Sequence, residues 1–553
     1  MKKIYSFLII TVAAITVSSC NKYLDINSVN PNTATTATPE LVLPQAITAV
    51  AGQNFAFNLY GAQTVGQLAN GGGVSGWGAI ISYNYVSTDQ TGLFNNSYNT
   101  ATDIQYVIDQ TDGKANYANL NASAKVLKAF VFQRLVDQYN DVPYTEATKG
   151  SAFVTPKYDK ATDIYKSLAD LCDAAVATMT TSPAGTADAV FRTADVMFAG
   201  DKLKWQKLAQ TIKLRLILRA GSKVTFTNTT FNTTIGFLED DAIVNPGYAK
   251  ISGKQNPTWN SFAYTFANAQ AAGSTQYVPT PYVLGFFNGD KINDPQRGYL
   301  YYKNGTVPVT TPTANKYPTP VNQLGSLLAT AGRGQTPNSW FRGTNVTAYD
   351  QAGIFKGFDA GQPIFLAADS YFLQAEAVIK GIIPGNAKTL FDNGILASFR
   401  YLDKNAAGVV AGNFPGTTTP RNPGSLTGGT GAGAPYQGEI AKYKTDNSTN
   451  YLVNFDLATT PAQQLEAIIT QKYIALNFLM GDEAWNEYRR TGYPANNFVS
   501  GADPIFTFNS IVGESTAPDR LPARLLYPNT EFNYNAANIP TVDKYTSKVF
   551  WAR

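Results

Sequence analysis

Histidine is absent from all 553 residues. That excludes a Ser-His-Asp triad, a Cys-His pair and every zinc site that depends on imidazole. Cysteine is nearly absent too, occurring only as Cys20 and Cys172. Charged side chains make up 15% of the chain, and its net charge is +4, half of it carried by Lys2 and Lys3. A balance this near to neutral gives no reason to expect nucleic acid or an anionic surface as partner. No apolar run reaches the roughly 20 residues of a spanning helix, and the ten-residue alternation of a membrane barrel does not recur. No loop has the ligand spacing of an EF-hand, and the sequence implies no metal or other cofactor. Carboxylate chemistry is what these absences leave open, and Glu239, Asp240 and Asp241 form an acidic cluster.

What is present begins with an address. Lys2 and Lys3 precede an apolar run from Phe7 to Val17, then Ser18, Ser19 and Cys20. A positive n-region, a short apolar h-region and small residues before a cysteine read as a bacterial lipoprotein signal over residues 1–19, with Cys20 as the lipidated residue. Lipidation of Cys20 leaves Cys172 without an unmodified partner for a disulfide. A polar tether rich in Asn, Pro and Thr follows to Pro39. Length allows about two to four domains or one large helical assembly after the tether; the single-domain reading takes residues 40–553, with loop-rich inserts at about 222–360 and 403–460.

Helical periodicity dominates that domain. Helices are expected over Pro44–Phe55 and Asn99–Gln110. Ala124, Leu127, Val131 and Leu135 form one face of another that ends before Pro143. Ala161, Ile164, Leu168, Leu171, Ala175 and Met179 form a longer stripe, with Asp159 as expected N-cap. A helix over Lys202–Ala220 starts at Asp201 and ends at Gly221, a natural left-handed position. Phe365–Lys380, ending at Gly381, and Ala387–Tyr401 follow. The best-specified helix opens at Thr460, with Pro461 at the first helical position and Gln463 completing a capping box. Helices joined by turns in this way suggest stacked helical hairpins. Phe226–Ile235 and Tyr299–Val309 are expected to be short strands. Thr310–Gly343 and Gly408–Gly438 are rich in Gly, Pro, Thr and Asn, and loops of such length commonly carry binding surfaces.

The stretch Gln471–Pro494, QKYIALNFLMGDEAWNEYRRTGYP, resembles the signature helix of SusD/RagB-like outer-membrane lipoproteins of the Bacteroidetes. Further blocks fall in the order seen in that family: DINSVNPN from Asp25, RLVDQYNDVPYTEA ending at Ala147, and GDKLKWQKLAQTIKLRLILRA ending at Ala220. Ala375-Glu376-Ala377, RLLYPNTE from Arg524 and the closing Lys548-Val549-Phe550-Trp551 complete the set. The resemblance covers essentially the whole chain and fits the branch called SusD-like family 2. It implies a mainly α fold of tetratricopeptide-like stacked helix pairs, with long irregular loop inserts and a few short strands. It also implies a binding protein rather than an enzyme: a lipid-anchored protein on the extracellular side of the outer membrane. Such a protein captures oligosaccharides as the lid of a SusC-like TonB-dependent transporter. A peptide-binding, RagB-like member of the same family is the second reading. A carboxylate-dependent glycoside hydrolase built on Glu239, Asp240 and Asp241 is the third.

Within this picture Trp205, Trp485 and Trp551 read as packing residues. Arg489 and Arg490, beside Glu483 and Glu487, read as an ion-paired helix end, as does Lys472. Ligand contacts are expected from the irregular segments instead, because sugar rings present apolar C–H faces that stack on aromatic rings. The candidates are Trp77 in a glycine-rich stretch, Tyr83 and Tyr85 just after it, Trp259 and Trp340.

Overall fold

The computed structural model describes residues 37–70, 77–182, 186–302, 353–409, 436–499 and 503–553. Cys20, most of the tether, Trp340 and parts of both loop-rich inserts lie outside the described residues. The first half is a stack of helices: α1 (Pro39–Thr64), α2 (Gly78–Ser82), α3 (Thr91–Thr111), α4 (Ala118–Tyr139), α5 (Ala161–Thr181), α6 (Thr186–Ala194) and α7 (Lys202–Ala220). Here α1 packs on α3, α3 on α4, α4 on α5 and α5 on α7. Four short helices follow: α8 (Pro257–Phe262), α9 (Gly273–Gln276), α10 (Pro281–Leu284) and α11 (Pro295–Tyr301). The last helices are α12 (Ala367–Ile379), α13 (Ala387–Asp403), α14 (Tyr436–Asp446), α15 (Pro461–Ala475), α16 (Gly481–Thr491) and α17 (Asn529–Tyr534). Contacts of α12 with α7, α13 and α15, and of α16 with α1, close the stack on itself.

The strands are short antiparallel staples. β1 (Ala69–Asn70) pairs with β5 (Tyr277–Val278), and β2 (Val142–Pro143) pairs with β3 (Tyr158–Asp159). β4 (Ala242–Val244) pairs with β6 (Gln362–Phe365) across a bulge beside Ala242. Each ties an irregular segment back to the helical body. The fold is the mainly helical architecture with few short strands that the sequence implies.

Local signals explain most helix boundaries. The Thr460 hydroxyl accepts from the Gln463 N–H at 3.2 Å, and the Gln463 side chain accepts from the Thr460 N–H, so the capping box at α15 is complete. Asp201 accepts from the Lys204 N–H at 3.2 Å and caps α7. Gly221 ends that helix at φ 55° but ψ −132°, a positive-φ stop outside the left-handed helical well. α1 runs well past Phe55, because Phe57, Tyr60 and Gly61 are buried and keep the helix against α16.

Three expectations are corrected. Asp159 does not cap α5; it sits in β3, and its carboxylate accepts from the N–H groups of Tyr144 and Thr145, at 2.9 and 2.7 Å. Phe226–Ile235 is irregular rather than a strand. There Asn228 and Asn232 accept from the N–H groups of Thr230 and Thr234 two residues on, and these Asx turns offer the backbone an alternative to a ladder. Residues 299–301 belong to α11, opened by the Asp294 cap and Pro295, while residues 303–309 lie outside the described residues.

The centre of the stack is ionic as well as apolar. Trp205 and Trp485 are fully buried, and Trp551 nearly so. Around them Lys472 of α15 lies 2.7 Å from Asp369 and 3.0 Å from both Glu483 and Glu487. Arg219 of α7 bridges Asp137, Glu483 and Glu487. Arg490 grips Glu376 of α12 and Glu487, and Arg134 of α4 meets Asp482 at 3.2 Å. Buried ions cost several kcal/mol each unless they are paired. Here α4, α7, α12, α15 and α16 each contribute a charge that another of these helices neutralises. Lys472 and Arg490 therefore read as expected.

Candidate functional site

Arg489 departs from the expected ion-paired helix end. Its guanidinium donates to the carbonyls of Asp137 (2.7 Å) and Ala523 (3.0 Å) and to Asn486 Oδ1, and it stacks 3.7 Å from the Trp485 ring. On a helix, consecutive residues point about 100° apart. Arg490 therefore faces the carboxylates of α12 while Arg489 faces the C-terminal segment.

Beside the C-terminal segment after α16, residues of α1, α2 and the loop after α2, together with Pro522, wall a cavity of about 240 Å³. Three tyrosines contribute to its wall: Tyr60 from α1, and Tyr83 and Tyr85 from the loop. Tyr60 and Tyr85 meet edge to face, with centroids 6.3 Å apart, and Tyr60 also packs on Trp485 at 5.3 Å. Two of the hydroxyls are already committed. The Tyr83 hydroxyl accepts from the Ser510 N–H at 3.0 Å, and the Tyr85 hydroxyl donates to the Arg524 carbonyl. What Tyr83 and Tyr85 add to the wall is therefore ring surface. Burial pushes the Tyr60 hydroxyl up to about 12 and raises Tyr83 and Tyr85 as well, so all three rings stay neutral at physiological pH.

The loop that carries these rings is held at both ends by strained backbone. Tyr83 and Gln90 each sit at φ 58°, in the left-handed region that side chains other than glycine enter at a cost. Non-glycine residues held there cost of order 1 kcal/mol each, and persist only when surrounding contacts fix them. The contacts are present. The Tyr545 hydroxyl donates to the Tyr83 carbonyl at 3.0 Å, Lys544 Nζ donates to the Tyr85 carbonyl at 2.9 Å, and Asp89 accepts from the Val86 N–H at 2.8 Å. Gly513 packs flat on the Tyr83 ring, where a Cβ would stand 3.0 Å from two ring carbons. Half-buried Asp89 and Gln90 supply polar groups on the wall, and Pro522 closes it. The result is a rigid, aromatic-walled cavity with an amide and a carboxylate at its edge, the composition of a small-ligand site.

Of the residues proposed from sequence, Tyr83 and Tyr85 come together on this wall. Trp77 does not line it; the ring is buried, 5.1 Å from Tyr277. Trp259 is buried in α8 and borders only a crevice of about 10 Å³, room for one water. Trp340 lies outside the described residues. Sequence reasoning missed Tyr60, which no pattern separates from an ordinary core residue of α1, and Asp89, Gln90 and Pro522, which become neighbours only through the fold.

The acidic cluster is dispersed. Glu239 pairs with Lys207 at 2.6 Å, Asp240 with Arg400 at 3.4 Å, and Asp241 accepts from the Ala367 N–H at the start of α12, at 2.9 Å. Among the described residues no group of acidic or cysteine side chains is placed to hold a metal ion, and no helix is long and apolar enough to cross a membrane.

Residues 31–528 match the SusD-like_2 family, described as starch-binding and associating with the outer membrane. The chain belongs to that family. No curated protein is significantly similar to this SusD-like chain in sequence. Solved structures share its fold. A SusD homolog from Bacteroides fragilis is 18% identical with a TM-score of 0.64, over 93% of this chain and 99% of that one. A SusD homolog from Bacteroides uniformis is 20% identical with a TM-score of 0.62, over 93% and 99%. A chitin-binding SusD homolog from Flavobacterium johnsoniae is 18% identical with a TM-score of 0.61, over 92% and 98%. The SusD-like family is one of carbohydrate- and nutrient-binding proteins of the outer membrane.

Proposed function

We propose that this SusD-like chain is a surface lipoprotein that captures oligosaccharides without cleaving them and acts as the lid of a SusC-like TonB-dependent transporter. The observation that carries the reading is the tyrosine-walled cavity. Its rings are neutral, its loop is pinned at Tyr83 and Gln90, and its rim offers an amide and a carboxylate to sugar hydroxyls. Rigid aromatic surface suits the apolar face of a pyranose. Binding without turnover is supported by Glu239, Asp240 and Asp241, each taken up by a lysine, an arginine or a helix N-terminus. The two or three acyl chains of a bacterial lipoprotein at Cys20 would hold firmly where a single chain gives only marginal attachment. The tether from Asn21 would then let the body swing over a barrel while staying beside it.

Deleting the gene tests the lid. Uptake of one nutrient class falls, while extracellular hydrolysis of that nutrient continues at its normal rate. Unchanged uptake refutes the reading.

A further inference from the structure

A second cavity, of about 340 Å³, adjoins the first: Pro522 lines both, and Tyr545, on the wall of the second, donates its hydroxyl to the carbonyl of Tyr83, on the wall of the first. The character of this neighbour is different. Arg489, Lys548 and Arg553 stand on its wall, and Asp519 is the one acidic side chain there. Arg489 is buried, and its hydrogen bonds go to carbonyl and amide oxygens rather than to carboxylates. Burial draws its guanidinium down to about 9, although Asp137 acts in the other direction. The Lys548 side chain is exposed and its ammonium has no hydrogen bond or ion pair among the described residues. Asp519 spends part of its capacity on the Leu521 N–H, at 3.2 Å. Three cationic side chains against one acidic one stand on this wall, beside apolar surface from Ala517, Leu521 and Ala552.

We propose that the second cavity receives the negatively charged group of an acidic sugar, a uronate carboxylate or a sulfate, carried on an oligosaccharide whose neutral part lies in the tyrosine-walled cavity. The inference rests on the oligosaccharide reading above and adds the substrate class. Arg489 offers a buried, preorganised charge and Lys548 an exposed one, while Tyr545 links the anion site to the loop that presents Tyr83.

Calorimetric titration of the purified full chain with a panel of uronic-acid oligomers, sulfated oligomers and their carboxyl-reduced or desulfated counterparts tests it. At least one acidic oligomer binds about tenfold more tightly than its neutral counterpart. Raising NaCl to about 1 M, where charges are screened beyond about 3 Å, removes most of that preference. Lys548→Glu, at an exposed position, keeps the melting temperature of the parent and abolishes the preference. Equal affinities for every acidic and neutral pair overturn the inference while leaving the oligosaccharide reading intact. Binding of no saccharide at all overturns both. Capture of acidic peptides in place of every saccharide also overturns it.

Discussion

Single residues carry the balance of this molecule, and Glu483 shows how. Burial alone would raise its carboxyl, but Arg219, Lys472 and Arg215 around it outweigh burial and hold it at about 2; Glu376 and Glu487 are lowered for the same kind of reason. A carboxyl whose folded value is depressed contributes stability that is fully present above the ordinary carboxylate range. That stability is lost as pH falls through the folded value. Glu483→Gln should therefore cost about 3 kcal/mol near neutral pH, by leaving buried cations underpaired. The gap between parent and variant should close as pH drops from about 4.5 toward 2. Melting curves across that range check this, and a gap independent of pH would show that Glu483 stabilises by shape alone. Arg489 marks where the residue scale was illegible in sequence. The string Glu-Tyr-Arg-Arg announces a charged helix end, but which arginine meets carboxylates depends on the faces presented to α12 and to the C-terminal segment. Only the packing of those elements decides it.

The elements themselves were largely legible, because caps and apolar periodicity are local. Thr460 with Gln463, and Asp201, begin helices where their side chains can satisfy free N–H groups. Where the reading failed, a longer-range partner had won. Asp159 was taken by the turn at Tyr144 and Thr145, and Asn228 and Asn232 turned a β-branched stretch into Asx turns. α1 extends at both ends beyond the expected Pro44–Phe55, and its glycines do not break it. Gly61 is instead the point where α1 and α16 touch backbone to backbone. A Cβ there would stand 2.1 Å from the Asp482 nitrogen, and one on Gly481 would stand 2.2 Å from the Ala62 nitrogen. Gly61→Ala should force the two helices apart and cost about 3 kcal/mol. Gly52→Ala, in the same helix with open space around it, should be neutral or slightly stabilising. Denaturant midpoints of the two variants compare them directly; equal effects would mean that the α1–α16 crossing tolerates separation.

At the scale of the whole molecule, family membership was written in blocks of sequence spread over the entire chain, whereas the site was not. Tyr83 and Tyr85 drew attention because they follow a glycine-rich stretch. Tyr60, Gln90 and Pro522 come from three distant segments and meet only when α1, the loop after α2 and the C-terminal segment pack together. Trp77 and Trp259, candidates for ligand contact in sequence, are buried against neighbouring rings or in a helix. The central claim is that a SusD-like scaffold holds a rigid tyrosine-walled cavity in order to bind oligosaccharides. Its most direct test is a glycan-binding screen of the full chain beside Ala79→Trp, which places an indole in the cavity from a half-buried wall position. The account predicts that the parent binds at least one oligosaccharide class and that the folded variant binds it at least about tenfold more weakly. A parent that binds no oligosaccharide, or a folded variant that binds as tightly as the parent, would contradict it.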